Sequence, residues 1–402
     1  MNRTIYVDNA ATTAMSDRAI AAMTPYLKEV YGNPSSLHTA GQLAKEALDG
    51  ARGLIANLIG AKPNEIYFTS GGSEADNQAI RSAAYAGLAK GKKHIVTTAF
   101  EHHAVLHTLK KLEEEGFGVT YLDVHSHGNI TAEEVAAAIR PDTALVTVMY
   151  ANNEVGSILP VAEIGKVCRE KKVTFHTDAV QAMGHIPVNV ATDNIDMMSV
   201  SAHKFHGPKG VGFLYCRTGV QLKSLIEGGA QERKRRAGTE NVACICAMAA
   251  ALKEAVENLP QNMKKLTAMR DRLIAGLTKI PYSRLNGDRV NRLPGNVNIS
   301  FEGTEGESLL LNLDAAGICA SSGSACTTAS LEPSHVLLAL GLPHEIAHGS
   351  LRLSLAETNT EEEIDYILKK VPEAVEKVRA LSCLWDDLES GKVKHMLNKE
   401  NN

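Results

Sequence analysis

The sequence predicts an α/β protein built on a mostly parallel sheet, with a smaller α+β unit attached to it. Short β-rich runs alternate with longer helical patterns from about residue 65 to 217, which is typical of successive strand–helix–strand units. Several runs, such as TALVTVMYA at Thr143–Ala151, are almost continuously apolar, as strands are when helices cover both faces of their sheet. Such sheets bind their ligands beyond the carboxyl ends of the strands.

Seven strands and three intervening helices are predicted in this region. The strands are Glu65–Thr69, His94–Ala99, Val119–Val124, Thr143–Ala151, Val173–Thr177, Asp196–Ser201 and Val211–Arg217. The helices are His102–Glu115, Ala132–Arg140 and Val161–Lys171. A long helical tract from Glu240 to about Ile280 then leads away from the sheet.

The remainder predicts the smaller unit. Its elements are strand Asn296–Phe301, helix Glu307–Ala316, strand Ser350–Leu355 and a last helix that opens with the capping box Thr360…Glu363. We expect Pro372 to bend that helix and the charged tail after Leu384 to be loosely held. The expected division is a large domain at 15–261 and a small domain formed by 1–14 and 262–402.

Composition excludes several classes of protein. The net charge of the 402 residues is −4, which favours neither nucleic acid nor a membrane surface as a partner. No apolar run approaches the ~20 residues of a membrane span, and the N-terminus has no signal-peptide core, so a cytoplasmic protein is expected. Seven cysteines without a C-x-x-C pair argue against a disulfide framework or a metal site. The basic run Arg233–Arg236 has no interleaved aromatic residues, which favours a solvated or interface loop over nucleic-acid binding.

A glycine-rich turn follows the first strand, in FTSGGSEADN. Gly71 and Gly72 allow close backbone approach, and Ser73 with Asp76 predicts a capping box at the start of a helix. The free N–H groups of such a helix start can hold a phosphate. Many strand-to-helix turns are rich in glycine and serine for geometry alone, so this turn by itself leaves both interpretations open.

Two charged residues lie at the ends of later strands. Asp178 follows VTFHT, where a carboxylate serves either as a helix cap or as the partner of a buried cation. Lys204 follows the apolar run DMMSVSAH, where it is either a surface lysine or a neutral amine suited to Schiff-base formation with an aldehyde. An anion cradle, a strand-end carboxylate and a strand-end lysine are together the parts of a pyridoxal phosphate (PLP) site.

The chain as a whole resembles the NifS/IscS-type cysteine desulfurases. The resemblance runs from about Tyr6 to Trp385, in the family's order, through the motifs YVDNAATT, FTSGGSEADN, EHHAVL, ANNEVG, HTDAVQ, SAHKFHGPKG, RRAGTEN and SSGSACTTASLEPSHV. It implies a fold type I PLP-dependent transferase, with a seven-stranded, mostly parallel sheet in the large domain and a long-loop cysteine segment in the small one. Three motifs look closer to the nitrogen-fixation branch.

The resemblance also implies a role for each matching residue. Lys204 holds PLP and shuttles protons, Asp178 pairs with the ring nitrogen, and Gln181 bonds the ring hydroxyl. His102 stacks on the ring and assists acid–base steps, whereas His103 is interpreted as a helix-face residue. The phosphate is held by Gly72, Ser73, Ser201, His203 and, from a second subunit, Thr239. The substrate carboxylate is held by Asn153 and Arg352.

Cys326 is the implied nucleophile. It lies among small residues, in SSGSACTTAS, which favours a mobile loop. A thiolate there has to reach the sulfur of the bound substrate and then carry a persulfide outward to an acceptor. A nearby base such as His102 would help to form it.

The expected function is therefore conversion of L-cysteine to L-alanine by a homodimer. The sulfur would pass from Cys326 to an iron–sulfur scaffold protein, with a nitrogenase-type scaffold as one option, or to another thio-cofactor pathway. A selenocysteine lyase and a desulfurase serving tRNA thiolation stay open as alternatives. A silent sulfur-carrier scaffold is a non-enzymatic alternative, disfavoured because Lys204, Asp178, His102 and Arg352 are all present. No metal is expected.

Overall fold

A computed structural model describes residues 4–322 and 333–399. The strands in these ranges are β1 (Ile5–Tyr6), β2 (Ile66–Thr69), β3 (His94–Thr98), β4 (Gly118–Leu122), β5 (Thr143–Thr147), β6 (Thr174–Asp178), β7 (Met197–Ser201), β8 (Gly212–Cys216), β9 (Ser283–Leu285), β10 (Asn296–Phe301), β11 (Ile318–Cys319) and β12 (Ser350–Ser354). The helices are α1 (Asp17–Met23), α2 (Pro25–Lys28), α3 (Thr39–Ile59), α4 (Gly72–Leu88), α5 (His103–Glu114), α6 (Ala132–Ala138), α7 (Val161–Glu170), α8 (Gln231–Lys234), α9 (Val242–Leu277), α10 (Gly306–Ala315), α11 (His335–Ala339), α12 (His344–His348), α13 (Glu361–Arg379) and α14 (Cys383–Glu389). Within the described ranges, no helix is both long and apolar enough to cross a membrane.

Seven strands form the large sheet, in the order β2-β8-β7-β6-β5-β3-β4. Neighbours from β4 to β7 pair in parallel, whereas β8 is antiparallel to both β7 and β2. The predicted mostly parallel seven-stranded sheet is thus confirmed. The fourth predicted strand is shorter than expected and ends at Thr147, because the chain beyond it folds back and Ala151 bridges Ile158.

The strand directions bring the carboxyl ends of five strands to one edge of the sheet. There β6 ends at Asp178, β7 leads into a turn that carries Lys204, and β3 leads to His102. The end of β5 leads to Asn153, and β2 leads through a glycine turn into α4. Residues far apart in sequence therefore meet at this edge, as expected for this class of sheet.

A smaller unit packs its own core around the three-stranded antiparallel sheet β12-β10-β9. Helix α9 connects the two cores, since Met248 is buried in the first and Leu273 in the second, with Pro260 inside the helix between them. Strand β1 pairs in parallel with β11, which supports the assignment of the N-terminal segment to the smaller unit. The predicted domain bounds stay a prediction, because Val336 and Ile346 of α11 and α12 belong to the first core.

The last long helix, α13, begins as predicted. The Thr360 hydroxyl accepts the Glu363 N–H at 3.3 Å, and the Glu363 carboxylate accepts the Thr360 N–H at 3.2 Å. The helix continues through Pro372, whose missing N–H is tolerated because the apolar face of α13 is buried in the second core. The bend at that proline stays a prediction.

The tail after Leu384 was expected to be loosely held, and the described part of it is not. Buried Glu302 accepts the backbone N–H groups of Met396 at 2.6 Å and Leu397 at 3.3 Å. The His395 ring stacks on Tyr282 with centroids 3.5 Å apart, and its Nδ1 lies 3.1 Å from the Glu302 carboxylate. The tail is therefore held by the buried Glu302 carboxylate and by the stack of His395 on Tyr282. The charged composition of the tail predicts neither contact.

We expect Glu302→Ala to release the tail, because both N–H groups and His395 lose their common acceptor. Trypsin cleavage at the exposed residues Lys392 and Lys394 should become about tenfold faster, the effect of one lost charge-assisted bond. Limited proteolysis followed by mass spectrometry measures the rate. Glu307→Ala, which removes an exposed carboxylate, is the control, and equal rates in the two variants would contradict the role of Glu302.

Candidate active site

A cavity of about 220 Å³ lies at the carboxyl edge of the large sheet. Its lining includes all but two of the residues that sequence assigned to the site: Gly72, Ser73, His102, Asn153, Asp178, Gln181, Ser201, His203, Lys204 and Arg352. Thr239 is exposed and lies outside this lining. Cys326 lies outside the described residues.

The glycine turn before α4 forms one end of the cavity. A Cβ on Gly72 would lie 2.6 Å from Val180 Cγ2, so only glycine lets the backbone come this close. A second cavity of about 470 Å³ adjoins this end, is lined in part by Ser73, Ser201 and His203, and extends to Lys209. The N-terminus of a 17-residue helix, two hydroxyls and a lysine make this end suited to a phosphate.

The predicted capping box at Ser73 and Asp76 is wrong. Helix α4 begins at Gly72, with Gly71 at the N-cap position and no side chain capping it. The Glu74 carboxylate instead accepts the N–H of Ser70, at 2.9 Å. Both Ser73 and Asp76 line the cavity, because positions three apart on a helix share one face.

The Asp178 carboxylate is buried at the end of β6, with its side chain at the cavity. The Val180 N–H donates to its Oδ1 at 2.9 Å. Burial raises the pKa of Asp178, whereas the Val180 N–H and the positive charge of Lys204 lower it. Beside it, Gln181 is fixed by a bond of 3.0 Å from its Nε2 to the carbonyl of Ala10. These contacts leave Asp178 suited to pair with a cation in the cavity.

The Lys204 amine is held at the cavity by backbone carbonyls. Its Nζ donates to Ala10 at 2.6 Å and to Ala11 at 2.8 Å. Behind it, His185 Nε2 lies 2.9 Å from the Lys204 carbonyl oxygen, which fixes the turn that carries the lysine. The amine is therefore oriented by the chain itself, within the same cavity as the Asp178 carboxylate.

His102 caps α5 and lines the cavity. Its Nδ1 accepts the Ala104 N–H at 3.1 Å, so a proton on the neutral ring sits on Nε2. Burial lowers the pKa of His102 to about 4, assisted by the positive charge of Lys204, which keeps the ring neutral near pH 7. His103, predicted to be a helix-face neighbour, lies outside the lining with its ring 4.4 Å from His335.

Arg352 reaches the cavity from β12 of the smaller unit and is only 1% exposed. Its Nη2 donates to the Asp8 carboxylate at 2.8 Å, and its Nη1 donates to the Asn153 carbonyl at 3.3 Å. Its Nε has no hydrogen-bond partner within the described residues. A buried guanidinium with a donor to spare suits a carboxylate ligand.

The described residues on either side of the Cys326 segment are both bonded near the cavity. Ser321 exchanges backbone hydrogen bonds with Arg352, at 3.2 and 2.6 Å. The Ser334 hydroxyl donates to the Glu154 carboxylate, one residue after Asn153. The segment between them therefore starts and ends beside residues of the candidate site.

Sequence reasoning missed three residues of the lining that bear on the chemistry. Ala10 and Ala11 act through their backbone carbonyls, which the identity of an alanine side chain does not predict. Asp76 could have been predicted, because it lies three residues after Ser73 on the same helix face. From the sequence alone it is instead interpreted as part of a helix cap.

Residues 5–367 match the profile described as aminotransferase class-V. The chain belongs to this family. Its members depend on PLP, and the cavity fits that cofactor: the glycine cradle that a Cβ would fill suits the phosphate, buried Asp178 suits the ring nitrogen, and Lys204 supplies an amine. The predicted fold and the dependence on PLP are thus confirmed, whereas the roles of the individual site residues stay predictions.

Individual relatives agree over the full length. The chain is 52% identical to a cysteine desulfurase IscS of Clostridium botulinum, over 100% of both proteins. It is 54% identical to a cysteine desulfurase IscS of Methanosarcina thermophila, over 95% of both. Among solved structures, a NifS-like protein superposes with a TM-score of 0.87 at 40% identity, covering 93% of this chain and 100% of that one. The resemblance drawn from the motifs is confirmed.

Buried neutral histidines should make the protein sensitive to acid. Burial lowers the pKa of His102 and His203 to about 4 and of His176 to about 3. These histidines protonate near pH 6.5 in the unfolded chain, so their contribution to stability is complete above that pH and is lost as pH falls toward 4. Each such histidine contributes up to about 1.4 kcal/mol per pH unit.

Urea unfolding between pH 7.5 and 5.0 measures this dependence. Replacement of His176 by Gln should reduce the slope of unfolding free energy against pH. Replacement of exposed His125, whose pKa is raised by a hydrogen bond to Glu134, should not reduce it. A slope in the His176→Gln protein equal to that of the wild type would contradict the prediction.

Proposed function

We propose that this chain is a PLP-dependent cysteine desulfurase that converts L-cysteine to L-alanine and retains the sulfur as a persulfide on Cys326. One observation carries the proposal. A single cavity gathers the Lys204 amine, the Asp178 carboxylate, the His102 imidazole and the Arg352 guanidinium, and the Cys326 segment starts and ends beside it. An aminotransferase would have no use for a nucleophilic cysteine there.

The cofactor would be held at both ends. Gly72, Ser73, Ser201 and His203 would bind the phosphate at the start of α4, and Asp178 would keep the ring nitrogen protonated. Gln181 would bond the ring hydroxyl, and neutral His102 would lie on the ring face. When bound, PLP supplies an electron sink for the substrate α-carbon.

Arg352 and Asn153 would recognise the substrate. The guanidinium is planar, already oriented by Asp8 and the Asn153 carbonyl, and has Nε unsatisfied among the described residues. It would donate to the carboxylate of L-cysteine in a fork, with the Asn153 side chain beside it. These contacts would fix the amino acid in one orientation in the cavity.

Two side chains move protons. The Lys204 amine, once freed by the substrate, would take the α-proton, because the carbonyls of Ala10 and Ala11 hold it in the cavity. His102, neutral with its proton on Nε2, would exchange a proton with the sulfur groups. Because the pKa of His102 is low, a proton that it takes from the Cys326 thiol would stay on the ring only transiently.

Sulfur transfer itself is a displacement at sulfur. The Cys326 thiolate attacks the sulfur of the bound substrate, a sulfur–sulfur bond forms, and the carbon–sulfur bond breaks. The carbon keeps the electron pair of the broken bond and is protonated, which yields alanine. The persulfide on Cys326 is then passed to an acceptor thiol.

The functional unit would be a homodimer. Leu27, Tyr31, Leu37 and Leu43 are exposed apolar residues within one N-terminal segment, with Leu37 94% exposed, and such a cluster favours a subunit interface. Thr239 is exposed, lies outside the lining of its own cavity and would reach the phosphate of a second subunit. The ion pair from Arg236 to Glu74, at 2.9 Å, fixes the chain just before it.

The acceptor is proposed to be an iron–sulfur scaffold protein in the cytoplasm. The described cysteines are unpaired, as in a reducing compartment, and the similar proteins are named cysteine desulfurases. Selenocysteine lyase and tRNA-thiolation activity use the same core chemistry. Competition between L-cysteine and L-selenocysteine separates the first from this proposal, and the identity of the sulfur acceptor separates the second. The four intact side chains in one cavity disfavour a silent sulfur carrier.

We expect the wild type to release alanine and sulfide in equal amounts from L-cysteine plus a reductant. Cys326→Ala should lose both products while keeping bound PLP and its colour, whereas Lys204→Ala should lose the covalent attachment of PLP as well. Simultaneous assays of alanine and sulfide test this. Full activity of Cys326→Ala, or a wild type that makes no alanine, would refute the proposed role of the cysteine.

Arg352→Lys should raise KM for L-cysteine more than it lowers kcat, because a lysine cannot donate as a fork. An increase of about 10–100-fold matches the loss of a charge-assisted bond. Steady-state kinetics measure it, with Arg379→Lys as control, since that buried arginine bonds the Glu302 carbonyl away from the cavity. An unchanged KM would show that Arg352 does not bind the substrate.

A further inference from the structure

Three buried carboxyl groups lie at or beside the cavity floor. Asp178 is 6% exposed, Asp76 is 1% exposed, and Glu101, the residue before His102, is fully buried. Asp76 and Asp178 line the same cavity. Asp76 has no role in the proposed function, although a carboxyl group this deeply buried costs free energy unless something compensates it.

The direct contacts of Asp76 within the described residues include no charged partner. Its Oδ1 has no hydrogen-bond partner and lies 3.6 Å from His176 Nε2, beyond bonding distance. Both nitrogens of His176 are already engaged, Nδ1 with Thr147 Oγ1 at 2.8 Å and Nε2 with Ser199 Oγ at 2.9 Å. A buried ion pair is stable only with good geometry and further hydrogen bonds, so this contact favours two neutral groups.

The titratable groups that interact with Asp76 or line its cavity come from every neighbouring element. They are His176 and Asp178 of β6, Glu101 and His102 before α5, His203 and Lys204 after β7, and Arg352 of β12. Arg352 is already paired with Asp8, which leaves Lys204 as the cation for three carboxyl groups. Neighbouring carboxyls in such a site cannot all ionise.

The hydrogen bonds decide which of the two lining carboxyls keeps the charge. Asp178 receives the Val180 N–H at 2.9 Å and is attracted by Lys204. Burial raises the pKa of Asp76 well above its usual range, and the negative charge of Asp178 raises it further, against a hydrogen bond from Ser199. Burial likewise raises the pKa of Glu101 to about 8.

We propose that Asp76 is a positioning residue that stays protonated, which leaves Asp178 as the single anion of the pair and the counter-charge for a cation in the cavity. The inference rests on the proposed function in one respect, that the cation is the protonated ring nitrogen of PLP. Neutral Asp76 prevents a second negative charge from competing for that proton, so that the electron-accepting form of the ring is set by Asp178 alone.

The test uses the PLP-loaded full-length protein and infrared difference spectra at pH 7. Wild type minus Asp76→Asn should show the carbonyl band of a protonated carboxyl group, and wild type minus Glu101→Gln should show a second one. Wild type minus Asp178→Asn should show a carboxylate band instead. The absence of the first band, or a carboxylate band in its place, would overturn the proposal.

Cofactor affinity provides an independent readout, by titration of PLP into the cofactor-free chain. Asp76→Asn should bind PLP within about threefold of wild type and keep its absorption spectrum, because one neutral group replaces another. Asp178→Asn should bind about 10–100-fold more weakly, as expected for a lost charged hydrogen bond. Equal weakening in the two variants would show that Asp76 is ionised and would overturn the proposal.

A folding defect in Asp76→Asn would not prevent a decision. The Glu101→Gln protein would then be compared at pH 7 and at pH 10: a protonated-carboxyl band that is present at pH 7 and lost on raising the pH supports the proposal, and its absence at pH 7 overturns it. Failure of the proposed function is a separate result, because it appears as absence of alanine from the wild type whatever the infrared spectra show.

Discussion

The ionised carboxylate of Asp178, buried at the end of β6, determines what the rest of the site has to provide. A buried anion is stable only when donors and a cation compensate the water it has lost. The chain offers it the Val180 N–H and the nearby Lys204 amine, and the family's cofactor offers a protonated ring nitrogen. The neutral states of His102 and, as proposed, of Asp76 follow from the same electrostatic balance, since each additional charge in this cavity would be uncompensated.

The second requirement is that side chains from two hydrophobic cores meet at this cavity. Asp178 and Lys204 come from the large sheet, whereas Arg352 comes from β12 of the smaller unit. Helix α9 is buried in both cores, so it holds β12 against the edge of the large sheet. Arg352 also bonds backbone to Ser321, and this places the start of the Cys326 segment next to the residue proposed to bind the substrate.

Much of this arrangement could be predicted from the sequence. Apolar runs predicted the strands of the large sheet to within a few residues, because strands covered on both faces are rich in apolar side chains. The order of motifs identified ten of the residues that line the cavity. Sequence could not decide the environment of Asp76, because the same serine–aspartate spacing suits either a helix cap or a helix face turned to a cavity. The prediction of a loosely held tail was also wrong, because the tail is attached through Glu302, which is far from it in sequence. Cys326 lies outside the described residues, and its role stays a prediction.

The most direct measurement is the location of the transferred sulfur. Incubation with isotopically labelled L-cysteine in the absence of reductant, followed by alkylation, digestion and mass spectrometry, identifies the cysteine that carries it. One labelled sulfur atom on the peptide that contains Cys326, and on no peptide from the Lys204→Ala protein, is the predicted result. Labelled sulfur on other cysteines with none on Cys326, or labelling that persists without Lys204, would contradict sulfur transfer through this site.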